Sequence, residues 1–205
     1  IRKVEENQVW LFTQTLNIYD EALSWTNTAI FKLGRWRVKE YESIDKVSKK
    51  RNFLIFRKDY YDQMYKLKNI PDDYVLLDSY ITNSVVSTLE GIEVIDIHEK
   101  KDLSKFQEIK EIKVKTFGGL ELFINILSQN EKKYLIFDLK SNLNIRKELE
   151  DDGPKVIGIP KMKEFKEIEK EVDEYSFLNQ WMFEIDEDST NNLVYNKKDL
   201  IKKKQ

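Results

Sequence analysis

Lys133-Tyr134-Leu135-Ile136-Phe137-Asp138-Leu139 is the stretch on which the fold turns. Its apolar run, Tyr134 to Phe137, is far too short to span a bilayer, and its aromatic and branched residues predict a buried strand. Similar segments recur on both sides of it. Asn52 to Arg57 reads as a second buried strand, and Tyr74-Val75-Leu76-Leu77 follows a turn at Pro71-Asp72-Asp73. Gly91 precedes Ile92 to Ile97, whose apolar side chains recur on one face. Ile112 and Val114 alternate with Lys113 and Lys115, which predicts a strand with one wet face. Gly118-Gly119 marks a turn, Leu120 to Leu127 admits strand or helix, and Val9 to Phe12 and Val156 to Ile159 read as short strands.

Helical spacing fills the intervals. Leu16, Tyr19, Leu23, Thr26, Ile30 and Leu33 fall on one face of an N-terminal helix. The segments Asp59 to Leu67 and Thr82 to Leu89 also read as helical, and Lys101 to Glu108 as a polar connection. Phe165, Ile168, Val172, Tyr175 and Leu178 form the apolar stripe of a long last helix, which Trp181 and Met182 continue. Trp36 to Ser43 has mixed alternation and receives no assignment.

Strands alternating with helices predict an α/β or α+β domain, with a mixed or mainly parallel β-sheet covered by amphipathic helices. It is not a standard glycine-rich nucleotide-binding fold: the chain has six glycines and neither a G-x-G-x-x-G nor a P-loop sequence. Three regions are expected. Residues 1–50 form an N-terminal helical segment, 51–183 the main domain, and 184–205 a polar, lysine-rich C-terminal extension.

Composition narrows the chemistry. The 205 residues are 40% hydrophobic and include 11 Phe, 10 Tyr and 4 Trp, enough for a true core. The 35 basic and 37 acidic residues nearly cancel, which argues against a general polyanion binder and leaves room only for a local basic groove. With no cysteine there are no disulfides, thiol nucleophiles or Cys-ligated zinc sites. The absence of a signal pattern or long apolar run gives the expectation of an intracellular, cytoplasmic domain.

The most concrete catalytic arrangement is Asp96 with Glu111 and Lys113. A carboxylate at one strand end and an acid-x-lysine pair on the next place two oxygen ligands, Asp96 and Glu111, around Mg²⁺ or Mn²⁺, with the lysine stabilising charge on a scissile phosphate. Asp78, Asp138 and Lys140 form an alternative set at strand ends. Acid-x-lysine triplets recur in a chain that is 35% charged, so structural or surface ion pairs are the first reading of them. His98, the single histidine, has a side chain suited to proton transfer near neutral pH, but without a G-x-S-x-G elbow or a repeated metal-ligand pattern it reads first as a polar strand-end residue.

A basic, aromatic-bearing region offers a different activity. Arg35, Trp36 and Arg37, followed by Lys49, Lys50 and Arg51, with Arg57 and Lys58 beyond, combine phosphate-binding cations with a stacking ring. The favoured expectation is a noncatalytic interaction or regulatory domain of a larger protein or assembly, whose partner is another protein, a second copy, or DNA or RNA. The alternative is a divalent-metal-dependent nuclease.

Overall fold

The computed structural model describes residues 30–100, 102–149 and 158–204. The expected N-terminal strand and most of the N-terminal helix, with Trp10 and Trp25, lie outside these residues, as do the Asp151–Pro154 break and the first half of the Val156–Ile159 strand.

The described residues form ten strands. They are β1 (Val38–Asp45), β2 (Lys50–Phe56), β3 (Lys66–Leu67), β4 (Tyr74–Leu76), β5 (Val94–Glu99), β6 (Gln107–Thr116), β7 (Leu120–Gln129), β8 (Lys132–Ser141), β9 (Trp181–Ile185) and β10 (Ile201–Lys203). Eight of them make one sheet in the order β3-β2-β1-β6-β7-β8-β9-β5, while β4 and β10 pair separately. Every pairing is antiparallel. The expected mixed or mainly parallel sheet is therefore corrected: this is a mostly antiparallel β structure with few, short helices.

Alternation explains the long central strands. In β6, Ile112, Val114 and Thr116 are buried while Glu111, Lys113 and Lys115 are only partly covered. Register carries the buried rows across the sheet. Tyr41, Val114, Leu122 and Leu139 pair in succession, and Ser43, Ile112, Ile124 and Phe137 form the next row. The β6–β7 hairpin turns at Gly118-Gly119, where Gly119 has φ +102° and a β-carbon would press on the Asn142 carbonyl and the Phe165 ring. The β7–β8 hairpin closes on two residues, Asn130 and Glu131, both with positive φ, the geometry that fits the twist of paired strands.

Short helices cover one face of the sheet. They are α1 (Ile81–Ser87), α2 (Phe165–Glu174), α3 (Glu187–Leu193) and α4 (Lys197–Leu200). Val85, Val86, Leu89, Ile168, Leu178, Leu193 and Leu200 join the inward row of the strands in the main core. Burial of this kind stabilises by about 25 cal/mol per Å² of apolar surface. Among the described residues the other face is largely bare, except where Leu103 and Phe106 lie over Leu127, Tyr134, Ile136 and Met182.

Two further expectations change, and one unassigned stretch gains a structure. Asp59 to Leu67 is not helical; it is a turn-rich loop ending in β3. Trp181 and Met182 do not extend the last helix: α2 ends at Glu174, a 3₁₀ turn spans Ser176–Gln180, and the chain then enters β9. Trp36 to Ser43 resolves into a 3₁₀ turn and the start of β1. As for regional boundaries, β1 of the first segment pairs with β2 and β6, and Leu193 and Leu200 of the last segment are buried in the main core.

Candidate functional site

The turn Gly34-Arg35-Trp36-Arg37 enters β1 and shapes two clefts. Gly34 is required there because a β-carbon would stand 2.5 Å from the Trp36 ring. The ring thus lies directly on the backbone of its own turn and remains 37% exposed. It lines a cleft of about 470 Å³ whose apolar walls include Tyr60, Pro160, Met162 and Ile168. Among the described residues, Lys32, Arg37, Lys161 and Lys163 line the same cleft with Glu90; Glu171 pairs with Arg37 and Lys163, and Glu164 lies 3.5 Å from Lys161.

The turn is held from below by Arg57. This guanidinium is buried, and its donors reach the carbonyls of Trp36, Val38, Tyr60 and Asp62. It stacks between the rings of Tyr65 and Phe117, at 4.7 and 5.3 Å from their centroids. Burial lowers its pKa from the ordinary arginine range, yet the charge is kept by these acceptors and rings. Tyr65 adds hydroxyl hydrogen bonds to the carbonyls of Arg35 and Val38. Arg57 is therefore a positioning residue for the Trp36 turn and not the phosphate contact the sequence suggested.

Arg37 has its own anion. Both of its terminal nitrogens donate to the Glu171 carboxylate of α2 at 2.7 Å, and Lys163 reaches the same group at 3.1 Å. Burial pushes the Glu171 carboxyl up, but the hydrogen bonds and charges of Arg37 and Lys163 outweigh it and hold the group below its usual value. Arg35 turns the other way, into a second and more open cleft of about 630 Å³ lined by hydroxyl and amide groups such as Ser84, Thr88 and Asn192.

The rest of the expected basic surface lies elsewhere. Lys49, Lys50 and Arg51 sit at the β1–β2 hairpin, the opposite end of β1 from Trp36, about 25 Å along the strand. Arg51 is paired with Glu42. The six predicted nucleic-acid contacts do not form one track.

The carboxylate–lysine sets are also dispersed. Glu111 and Lys113 are paired at 3.3 Å on the bare face of β6, and Lys46 reaches Glu111 at 3.2 Å. Asp138 and Lys140 pair at 3.0 Å on the same face of β8. The two pairs flank Phe123 of β7, which is in register with both Lys113 and Asp138. Asp96 is not with them: β7, β8 and β9 stand between its strand and β6, about 19 Å of sheet. Asp78 is separated too, for its carboxylate accepts the Tyr80 N–H in the turn that opens α1, on the helical side.

Asp96 instead meets His98 and Glu184. His98 Nε2 lies 3.2 Å from Glu184 Oε2 and 3.5 Å from Asp96 Oδ2. Lys132 holds the two Glu184 oxygens at 2.9 and 3.1 Å. Glu184 escaped sequence reasoning because Trp181 and Met182 read as the end of a helix and residues 184–205 as a polar extension, whereas β9 runs through both. The signal that could have found the group is Asp96-Ile97-His98, an alternation that points both polar side chains to one side of a strand.

Among the described residues, no helix is long and apolar enough to cross a membrane. Comparison with protein families, with characterised proteins and with solved structures returns no match for this chain.

Proposed function

We propose that this chain is a noncatalytic interaction domain that captures an acidic segment of a protein partner and seats an apolar side chain of that segment against Trp36. The exposed Trp36 ring, fixed over Gly34 inside a cation-lined cleft, is the observation that carries this reading. Aromatic rings held in such pockets are typical anchors of protein interfaces, and surrounding cations favour acidic sequences. The overall charge of −2 and the split basic surface favour a peptide over a nucleic-acid strand, which needs a continuous cationic path. Noncatalytic action is supported by the dispersal of the two acid–lysine sets.

Fluorescence anisotropy of labelled acidic peptides, each bearing one leucine or phenylalanine, tests the proposal against charge-reversed controls. Acidic peptides bind, Trp36→Ala weakens them about tenfold or more, and Lys161→Glu weakens them several-fold. Affinity indifferent to both substitutions overturns the site. Stronger binding of single-stranded DNA or RNA overturns the choice of partner, and metal-dependent phosphodiester turnover overturns the noncatalytic assignment.

A further inference from the structure

We propose that Asp96, His98 and Glu184 form a three-donor site for a divalent transition-metal ion, of the class of zinc, cobalt and nickel, which clasps the edge strand β5 to β9. This site is independent of the Trp36 cleft. Asp96 and His98 alternate along β5, and their register partners on β9 are Glu184 and Met182. The three side chains thus project from the same face across one strand spacing. A register irregularity between Val94 and Asp96 re-aims this part of β5, as β-bulges do at binding sites.

The spacing of the donor atoms matches an ion. All three lie within 4.8 Å of one another, with His98 Nε2 at 3.2 and 3.5 Å from the two carboxylates. A tetrahedral ion with bonds of about 2.0–2.1 Å holds its ligands about 3.3 Å apart. Little rearrangement separates the present geometry from a bound one. One imidazole nitrogen with two carboxylate oxygens suits zinc, cobalt or nickel, whereas magnesium and calcium favour oxygen alone. The imidazole also distinguishes this group from a mere collection of surface acids. Its ring is steadied edge-on by Tyr134, with centroids 5.5 Å apart.

Glu184 is a buried carboxylate, 5% exposed, and needs a cation beside it. Lys132 meets that need here, but its side chain is 58% exposed and its ammonium can return to water. Metal and lysine therefore compete for the same two oxygens. Asp96 and His98 are open to solvent, which leaves a place for water as a fourth ligand.

Cobalt(II) chloride is the probe. Added to the full chain, it gives a one-equivalent visible d–d absorption and raises the melting temperature by several degrees; zinc chloride then abolishes the absorption while keeping the stabilisation. His98→Ala, a change at a partly exposed side chain, removes both responses while circular dichroism stays that of the parent. Lys132→Met, which removes the competing ammonium, tightens cobalt binding several-fold. No absorption with the parent chain overturns the proposal, as does an absorption that survives His98→Ala. Equal stabilisation by magnesium chloride in parent and His98→Ala also overturns it, because carboxylates alone then account for the binding.

Discussion

Lys110 shows how one buried charge shapes the pH response. Its ammonium is buried on the helical side of β6 and donates to the carbonyls of Val194 and Tyr195 beyond the end of α3. Burial pushes its pKa from 10.5 down to about 8. Between those values the unfolded chain binds more protons than the folded one, so stability rises with pH across that window. Burial pushes the Tyr41 and Tyr65 hydroxyls up, and above about pH 10 this acts in the opposite direction. Urea midpoints are expected to climb from pH 8 to about 10 and then fall, and Lys110→Met to flatten the climb. Glu171 works at the acid end. Its lowered pKa stabilises the fold above the ordinary glutamate value, and this is lost as pH falls through the folded value. Glu171→Ala leaves Arg37 without its anion and costs about 3 kcal/mol by urea denaturation at pH 7. In that variant the dependence below pH 5 is weaker than in the parent.

At the scale of elements, β9 is the instructive case. Leu178, Trp181 and Met182 keep helical spacing after α2, so local pattern favours one more helical turn. The structure prefers a strand because a five-residue extension joins β8 to β5 and buries Phe183 against Phe137, 5.6 Å between centroids. Phe183→Ala is expected to cost about 3–5 kcal/mol, whereas Trp181→Ala, at a 39% exposed side chain, costs under about 1. Equal costs would contradict the two-faced strand; equilibrium unfolding of both variants decides. The β7–β8 turn gives a gain instead of a loss. Glu131 holds φ +69°, a backbone region that glycine adopts at less cost. Glu131→Gly is expected to raise stability by about 0.5–1 kcal/mol, read from the thermal midpoint. The positions of β2, β4, β5, β6 and β8 were legible in the sequence because an apolar run or alternation is local, whereas β1, β3, β9 and β10 were not. The Asp59–Leu67 loop was not, since its shape depends on distant contacts such as Lys147 with Asp59 and the Tyr60 hydroxyl with the Pro160 carbonyl.

For the molecule as a whole, strand direction was the illegible quantity. β8 is covered on both faces, by the main core at Leu135 and Phe137 and by Leu103 and Phe106 over Tyr134 and Ile136. Its nearly continuous apolar run therefore imitates a parallel strand buried between two helix layers. Direction depends on partners, and β1 pairs with β6 while β5 pairs with β9, far along the chain. The candidate metal group was hidden for the same reason. Asp96 and His98 were visible, but their third member lay on a strand that only the fold brings beside them. The C-terminal segment belongs to this account as well. Ending the chain after Ile185 removes Leu193 and Leu200 from the core and β10 from β4. Such a truncation is expected to lose on the order of 5 kcal/mol, measured as a lower urea midpoint.

The Arg57 cation stands next to the Trp36 cleft with backbone carbonyls and aromatic rings as its partners, and among the described residues no carboxylate is one of its hydrogen-bond acceptors. Lysines at the cleft rim act through water, so dissolved ions weaken their pull within about 10 Å at 0.1 M salt. A charge sealed beneath the cleft floor is screened far less, and arginine does not surrender its proton in the ordinary pH range. Part of the cleft's attraction for anions is thus a constant of the fold. It persists at ionic strengths that silence the rim, and a binding curve measured against salt should level off above zero.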